Sequence, residues 1–430
     1  MLKILVLSPI MPEKNNPRID YVNFVYDYLK SKIPTKIIWV IYQPDKIIQK
    51  NESDCEILDI HNFPNAQELL EKIKPDLFLS NHTLDPINTA VSLVAILKKI
   101  PIICFEHGYF SFKTISIQTN KINLLFSNKL PSENESQKKF LKRFNFYFYK
   151  FSFLLKTRMC FSKKIKEYFV TLLDIYKFIT GNFPKLNPYG NIYLIPGKFV
   201  LNNNNYNKLK NIKPVKIVGN PYWDNLSNKI RFSEPTTSEK IRILIITDSL
   251  YEHGFWTYAQ KNNFLSQLLT NLNSDPKLIF DLKIHPSSEN FEFYNSLLKK
   301  LKVKAKIFQK ENLWDVARNY DLFLTYGYSQ VHSELAYSGK KVILLDSNVN
   351  LPLITLVNEA IEIGNIKQCK NEKSLIPIIH HFFKEKSIIT NDFNEAASNY
   401  FAISDGTSSE KIGKIILELL SKENKKEYCL

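Results

Sequence analysis

The chemistry that this chain can support is concentrated near two predicted strand ends in its second half. His285 and Pro286 follow one strand-like run, and Ser329 follows another, with Glu334 about one helical turn further on. The carboxyl ends of parallel strands meet at one edge of a sheet, where ligands bind. An imidazole, a hydroxyl and the free N–H groups at a helix start can all donate hydrogen bonds to phosphate oxygens. The stretch 281–346 therefore predicts a cradle for a nucleotide phosphate, with Glu334 near the ribose hydroxyls.

The same edge is expected to include the residues that end the strand-like run 241–247. Thr247 and Asp248 stand there, and Asp248 would contact the nucleobase or the acceptor. Two assignments leave an alternative open. His285 could instead cap the turn after its strand, and Glu334 could do no more than offset the positive end of a helix dipole.

A general base is expected at a strand end in the first half of the chain. Glu106, His107 and Gly108 follow the apolar run 101–105. Histidine titrates near neutral pH, and a glycine beside it leaves room for a ligand. His107 is therefore the predicted base that takes the proton from an attacking hydroxyl. Glu106 is the rival base, and the alternative for His107 is a loop histidine satisfied by its neighbours.

The elements that must position these residues alternate between strand and helix along most of the chain. Such alternation predicts an α/β fold with two Rossmann-like, doubly wound domains that face each other across a cleft. We expect an acceptor-binding domain over 1–225, with a basic, aromatic helical insert at about 111–185. A linker over 226–240 leads to a donor-binding domain over 241–408. A C-terminal helix and tail occupy 409–430.

The bulk composition points to an anionic partner and to a reducing compartment. The 430 residues carry a formal net charge of +16, which favours acidic ligands or surfaces, although an AT-rich genome would also enrich lysine. The five cysteines are scattered without a CxxC pair, so neither a disulfide framework nor a zinc site is predicted. We expect a cytoplasmic protein with no bound metal, and no apolar run is long enough to span a bilayer.

The segment 138–166 combines many lysines and arginines with closely spaced aromatic residues and contains no acidic residue. A basic helix with an aromatic face is typical of peptides that lie in the headgroup region of an anionic membrane. The alternative is an ordinary amphipathic helix whose lysines are in water. No nucleic-acid-binding module accompanies the segment, so a nucleic-acid partner is not predicted.

With these residues in place, the chain resembles the GT-B superfamily of glycosyltransferases. The closest likeness is to the group with cytidine-activated donors, which includes polysialyltransferases, capsule Kdo transferases and CDP-glycerol glycerophosphotransferases. Four short motifs carry the resemblance, in chain order: Glu106-His107-Gly108, Gly219-Asn220-Pro221 with Asp224, Lys283-Ile284-His285-Pro286, and Tyr328-Ser329-Gln330-Val331 with Glu334.

The resemblance implies a role for each motif. The His-Pro motif would contact the donor phosphate, and the motif around Ser329, including Tyr328 and Gln330, would complete the nucleotide site. The motif at Gly219 and Asn220 would lie near the domain junction, on the nucleotide. The His-Gly motif would supply the base. It lacks the Thr-Pro-Leu-Lys continuation usual in glycerophosphotransferases, which argues against glycerol phosphate as the transferred group.

The function expected from these observations is an inverting, metal-independent glycosyl transfer without a cofactor. The donor would be a nucleotide-sugar, with a CMP-linked acidic sugar favoured. The acceptor would be a surface glycan or a lipid-linked glycan precursor at the cytoplasmic face of the membrane. Two rivals stay open: a UDP-sugar epimerase of the same two-domain plan, and a non-catalytic partner that binds membrane or glycan.

Overall fold

The computed structural model describes most of the chain and divides it into two compact units. The described residues are 1–9, 11–12, 17–42, 50–81, 85–105, 133–161, 164–180, 187–197, 213–221, 224, 240–252, 255–286, 289–327, 329, 331–337, 340–347, 366–385 and 406–427. One unit comprises Met1–Asp224 and Phe401–Leu430, and the other comprises Asn225–Tyr400.

The first unit is built on a sheet of eight described strands. They are β1 (Leu2–Ser8), β2 (Thr35–Ile41), β3 (Lys50–Asn51), β4 (Cys55–Asp59), β5 (Leu77–Asn81), β6 (Ile102–Phe105), β7 (Ile192–Ile195) and β8 (Val215–Ile217). Their order is β3-β4-β2-β1-β5-β6-β7-β8, and every neighbouring pair is parallel except β3 with β4. The strand order therefore reverses between β1 and β5, as in a doubly wound fold.

Helices of the first unit cover both faces of this sheet. The described ones are α1 (Pro17–Lys30), α2 (Ala66–Ile73), α3 (Pro86–Leu97), α4 (Glu133–Met159), α5 (Lys164–Ile179) and, from the end of the chain, α11 (Ser408–Glu427). One core cluster packs α2, α3 and α4 on the sheet, and a second packs α1 and α11 on it. The central strands consist mostly of apolar residues because both faces of the sheet are buried.

The basic aromatic segment contributes to the core of the first unit. Phe151, Phe153 and Leu154 of α4 are buried in the core cluster on this sheet. Phe148 of the same helix is exposed. Lys150 is also buried and pairs with Asp85 at 3.3 Å. Much of the aromatic face predicted for membrane contact is therefore occupied by protein. Within the described residues, no helix has the length and apolarity required to traverse a bilayer.

The C-terminal helix α11 belongs to the first unit. Ile412 and Ile416 are buried in the cluster that includes α1. The carboxylate of Asp224 accepts hydrogen bonds from the backbone N–H groups of Ser408 and Ser409 at 3.0 and 2.7 Å. Asp224 thus satisfies N–H groups that have no partner within the first helical turn. Asp224, which belongs to the motif expected near the domain junction, therefore fixes the start of the last helix.

The second unit is built on a sheet of six described strands. They are β9 (Ile241–Ile246), β10 (Leu278–Lys283), β11 (Ile307–Phe308), β12 (Leu322–Tyr326), β13 (Lys341–Leu345) and β14 (Ile366–Cys369). All neighbouring pairs are parallel, in the order β11-β10-β9-β12-β13-β14. Its described helices are α6 (Tyr258–Asn273), α7 (Phe291–Leu301), α8 (Leu313–Ala317), α9 (Val331–Tyr337) and α10 (Leu375–Lys384).

Strand order in the second unit reverses beside β9, because β10 lies on one side of it and β12 on the other. The α/β class and two parallel, doubly wound sheets are as predicted. Three strands were not predicted: β3, β4 and β14. Each is short or mixes polar with apolar residues, so it lacks the continuous apolar run that marks a buried strand.

Arg158 of α4 holds α5 through several contacts that are largely shielded from water. Its guanidinium donates to Asp174 at 2.7 Å and to the Thr171 hydroxyl at 3.1 Å, and it lies 3.9 Å from Glu167. We predict that Arg158→Ala lowers the free energy of unfolding by about 2 kcal/mol, because both carboxylates lose their partner. Chemical denaturation measures this. The control Arg318→Ala removes an exposed pair and should cost less than about 1 kcal/mol. Equal losses in the two variants would contradict the role given to Arg158.

Candidate functional site

The carboxyl edge of the second sheet brings together the chain segments that leave β9, β10 and β12. Thr247 and Asp248 follow β9, His285 follows β10, and Gly327 follows β12. Because β10 and β12 flank β9, their ends start about 10 Å apart, two strand spacings. This is the point of strand-order reversal, where doubly wound sheets bind ligands.

A buried carboxylate, Glu289, joins the segments that leave β9 and β10. It accepts hydrogen bonds from the hydroxyl of Thr247 and from the hydroxyl of Tyr294. It also accepts the backbone N–H of His285 at 2.7 Å. The side chain of Glu289 is fully inaccessible to water. Glu289 thereby fixes the backbone that carries His285 relative to the end of the central strand.

The charge of Glu289 is offset by Lys261, a buried lysine on α6. Its ammonium lies 3.5 Å from the Glu289 carboxylate and 2.7 Å from that of Glu252. It also lies 4.8 and 4.9 Å from the ring centroids of Phe293 and Tyr294, where the negative faces of aromatic rings attract cations. A buried ion pair persists only with such additional partners, since removing both charges from water is costly.

The His285 imidazole reaches the surface, and its surroundings lower its pKa overall. Desolvation by the protein lowers its pKa, and the ammonium of Lys283 lowers it further, while the Glu289 carboxylate acts in the opposite direction. Lys283 itself donates to the carbonyls of Ile284 at 3.1 Å and Gln309 at 2.9 Å. At neutral pH the His285 ring is therefore uncharged. Pro286, next to it, is exposed.

The segments that leave β9 and β12 meet at Gly327. This glycine has φ of 83°, a conformation that favours glycine. A Cβ added there would lie 2.2 Å from a carboxylate oxygen of Asp248. Asp248 is mostly buried, and its charge, together with that of Glu289, adds to the effect of burial in raising the pKa of Tyr326. Asp248 therefore lines the turn that leads to Ser329.

Ser329 lies just before α9, and Glu334 lies on it. Both residues are partly exposed. The Ser329 hydroxyl oxygen accepts the backbone N–H of Val331 at 3.3 Å. One of the N–H groups expected to hold a phosphate is thus engaged by Ser329. Tyr328 and Gln330, which were predicted to take part in the site, lie outside the described residues.

Gly219 and Asn220, also predicted to bind the nucleotide, follow β8 in the first unit. Both are buried, and Gly219 has φ of 82°. Glu106 and His107 follow β6 in the chain and lie outside the described residues. Their assignment as rival and predicted base stays a prediction. In the described part of the chain, no cluster of His, Cys, Asp and Glu side chains could hold a metal ion.

Three residues of the Glu289 network were missed by sequence reasoning: Lys261, Glu289 and Tyr294. One signal was present. Lys261 occupies a position on the apolar stripe of α6 that continues with Leu265, Leu268 and Leu272. A lysine on such a stripe is buried, and a buried lysine requires a carboxylate partner. Nothing in the local pattern identifies Glu289 as that partner.

His332 is the second feature that sequence reasoning did not assign. Its side chain is buried, and neither ring nitrogen has a hydrogen-bond partner within the described part of the chain. Burial lowers the pKa of His332 to about 4. The ring is therefore neutral at physiological pH. His332 is buried, whereas Glu334, two residues further along α9, is partly exposed.

Comparisons with known proteins agree with this architecture. No protein-family model matches the chain, and no curated protein matches it. Among solved structures, UDP-GlcNAc 2-epimerase from Neisseria meningitidis has a TM-score of 0.52 at 15% identity, over 97% of this chain and all of that one. The corresponding epimerase from Methanocaldococcus jannaschii scores 0.51 at 15% identity, with 97% and 100% covered. The wall teichoic acid polymerase TagF scores 0.53 at 11% identity, with 98% and 90% covered.

These likenesses show the fold. The chain shares with these proteins an α/β architecture. The expected α/β fold with two doubly wound, largely parallel sheets is confirmed.

We predict that Glu289→Gln lowers the free energy of unfolding by about 2–4 kcal/mol. The uncharged amide would leave Lys261 with Glu252 as its remaining carboxylate partner and would replace an acceptor by a donor inside the network. Urea denaturation measures the loss. The control Glu292→Gln lies on the exposed first turn of α7 and should change stability by no more than about 0.5 kcal/mol. If Glu289→Gln were as stable as the control, the Glu289 network would not stabilise this edge of the sheet.

We also predict a dependence of stability on pH that arises from His332. The unfolded chain protonates this histidine near pH 6.5, while the folded chain keeps it neutral down to about 4. The stability contributed by the neutral ring is complete above 6.5 and is lost as the pH falls toward 4. Wild type should lose about 3 kcal/mol more than His332→Leu across this range. His381→Leu, which changes an exposed histidine, should follow the wild-type profile. Parallel profiles for wild type and His332→Leu would contradict the assignment.

Proposed function

We propose that this protein is an inverting glycosyltransferase that uses a nucleotide-activated sugar. The donor is a nucleotide-sugar, and a CMP-linked acidic sugar is the candidate that the His-Pro motif favours. The acceptor is a surface glycan or a lipid-linked glycan. One observation supports the proposal: at the strand-order reversal, the network of Glu289 holds the backbone of His285 after β10, and the segment after β12 leads to Ser329.

The proposed reaction is a single displacement. His107 takes the proton of the acceptor hydroxyl, and the acceptor oxygen forms a bond to the anomeric carbon. The bond from that carbon to the phosphate oxygen breaks on the opposite face, and the nucleotide leaves with the electron pair. Displacement at one face inverts the configuration of the sugar. Glu106 is the alternative base at this position.

In the proposed reaction, the described residues bind the leaving phosphate. His285 donates its ring N–H to a phosphate oxygen, and the hydroxyl of Ser329 donates a second hydrogen bond. Such donors are effective when they are held in place before the charge develops. The bond from Glu289 to the backbone of His285 supplies that preorganisation. Glu334 is proposed to bind the ribose, and Thr247, Asp248, Tyr328 and Gln330 are proposed to line the nucleotide.

The leading test compares nucleotides by thermal shift, using CMP, CDP, UDP and GDP. A ligand that binds only the folded state raises the melting temperature. CMP should stabilise wild type most. His285→Ala should bind the preferred nucleotide about ten- to a hundredfold more weakly, because a hydrogen bond to a charged phosphate is lost. His381→Ala, which changes an exposed histidine, should bind as wild type does. An unchanged affinity in His285→Ala would overturn the donor-site assignment.

A UDP-sugar epimerase is the second candidate, and the fold comparison favours it specifically. Two of the similar solved structures above are UDP-GlcNAc 2-epimerases. An epimerase converts its substrate without an acceptor. Incubation with UDP-GlcNAc alone, followed by separation of the products, distinguishes the two activities. Conversion there, together with stabilisation by UDP rather than CMP, would favour the epimerase. No turnover with either class of donor would favour a non-catalytic binding partner.

A further inference from the structure

Helix α5 turns its apolar side toward solvent. Residues with relative exposures between 44% and 75% recur along it at the spacing of one helical face: Ile165, Tyr168, Phe169, Leu172, Leu173 and Tyr176. The exposed Phe148 and Phe161 of the neighbouring segment add to the apolar surface. Contiguous exposed apolar surface of this kind marks a site of interaction with another apolar body.

The opposite side of α5 is polar and faces the protein. Arg158 of α4 contacts Glu167, Thr171 and Asp174, which lie on successive turns of that side. Toward its C-terminal end α5 also makes apolar contacts: Ile175 and Phe178 pack against the core cluster, and Phe178 lies edge-to-face on Phe151 at 5.5 Å. A surface helix ordinarily buries its apolar stripe and exposes its charges. α5 has the reverse arrangement, and the guanidinium of Arg158 makes that arrangement stable.

The charges around the exposed stripe are positive. Glu167 and Asp174 are the two acidic residues between positions 138 and 180, and Arg158 is placed against both. Lys156 and Lys166 are exposed beside the stripe, and Lys177 is partly exposed. An apolar stripe bordered by lysines complements a surface that is apolar inside and anionic at its boundary.

We propose that α5 is a docking surface for an anionic lipid bilayer. The stripe enters the boundary between headgroups and acyl chains, and the hydroxyls of Tyr168 and Tyr176 lie at the headgroup level. Lys156 and Lys166 contact the lipid phosphates. A second copy of the chain fits less well, because it would bring together two proteins of formal net charge +16. The surface lies on α5, whereas the basic segment predicted to bind membrane lies mostly on α4.

The test is co-sedimentation of the full chain with vesicles of phosphatidylcholine alone or of phosphatidylcholine mixed with phosphatidylglycerol. Wild type should bind the mixed vesicles. Phe169→Gln and Leu173→Gln should each weaken binding about tenfold, since each removes an apolar side chain from the bilayer. Ile279→Gln, which changes an exposed apolar residue of the second unit, should bind as wild type does. Circular dichroism should show unchanged melting, because these side chains are exposed.

The lysines give a second readout that a purely apolar surface would not show. Lys166→Gln should weaken binding to the mixed vesicles about fivefold, and added salt should reduce that difference. Equal binding by wild type, Phe169→Gln and Leu173→Gln would overturn the proposal, as would no binding of wild type to either vesicle. Dimers of wild type that dissociate in Phe169→Gln, without vesicle binding, would assign the stripe to self-association instead.

Discussion

The carboxyl edge of the second sheet depends on the burial of one carboxylate. Glu289 has no contact with water and is offset by two hydroxyls, one backbone N–H and one buried ammonium. A buried charge costs several kcal/mol unless each of its lone pairs is satisfied. The segment after β10 can therefore adopt few conformations other than the one that brings His285 N–H to Glu289. The interaction that stabilises the carboxylate also sets the position of the backbone that carries the imidazole.

The second constraint is steric. Gly327 approaches Asp248 so closely that no side chain could replace its hydrogen. Together, Glu289 and Gly327 fix the segments on both sides of β9. The ammonium of Lys283 is turned toward backbone carbonyls, and desolvation by the surrounding protein lowers the pKa of His285. A phosphate at this edge would consequently be held by N–H and O–H donors of defined direction, which select geometry more than net charge.

Sequence reasoning succeeded for features that depend on residues close together in the chain. It failed for features that depend on residues far apart in the chain. Buried parallel strands such as β9 and β12 are continuous apolar runs, so they could be predicted. Glu289 could not, because its partners come from four separate parts of the chain: the ends of β9 and β10, and helices α6 and α7. The face of α5 that meets the protein could not be predicted either. A helical pattern shows that Phe169 and Asp174 lie on opposite sides, but only the position of Arg158 decides which side is buried.

A phosphate site at the carboxyl edge of the second sheet would serve a transferase and an epimerase alike, because both act on a nucleotide-sugar. They differ in where a proton is removed. A transferase removes it from an acceptor hydroxyl, whereas an epimerase removes it from a sugar carbon and returns one to the other face. The residues that decide between them must therefore contact the sugar or the acceptor, and in this chain the candidates are Glu106 and His107. A single base there fits transfer, whereas two groups acting on opposite faces of one carbon would be required for epimerisation. The identity of the reaction thus depends on whether Glu106 and His107 act as rivals or as a pair.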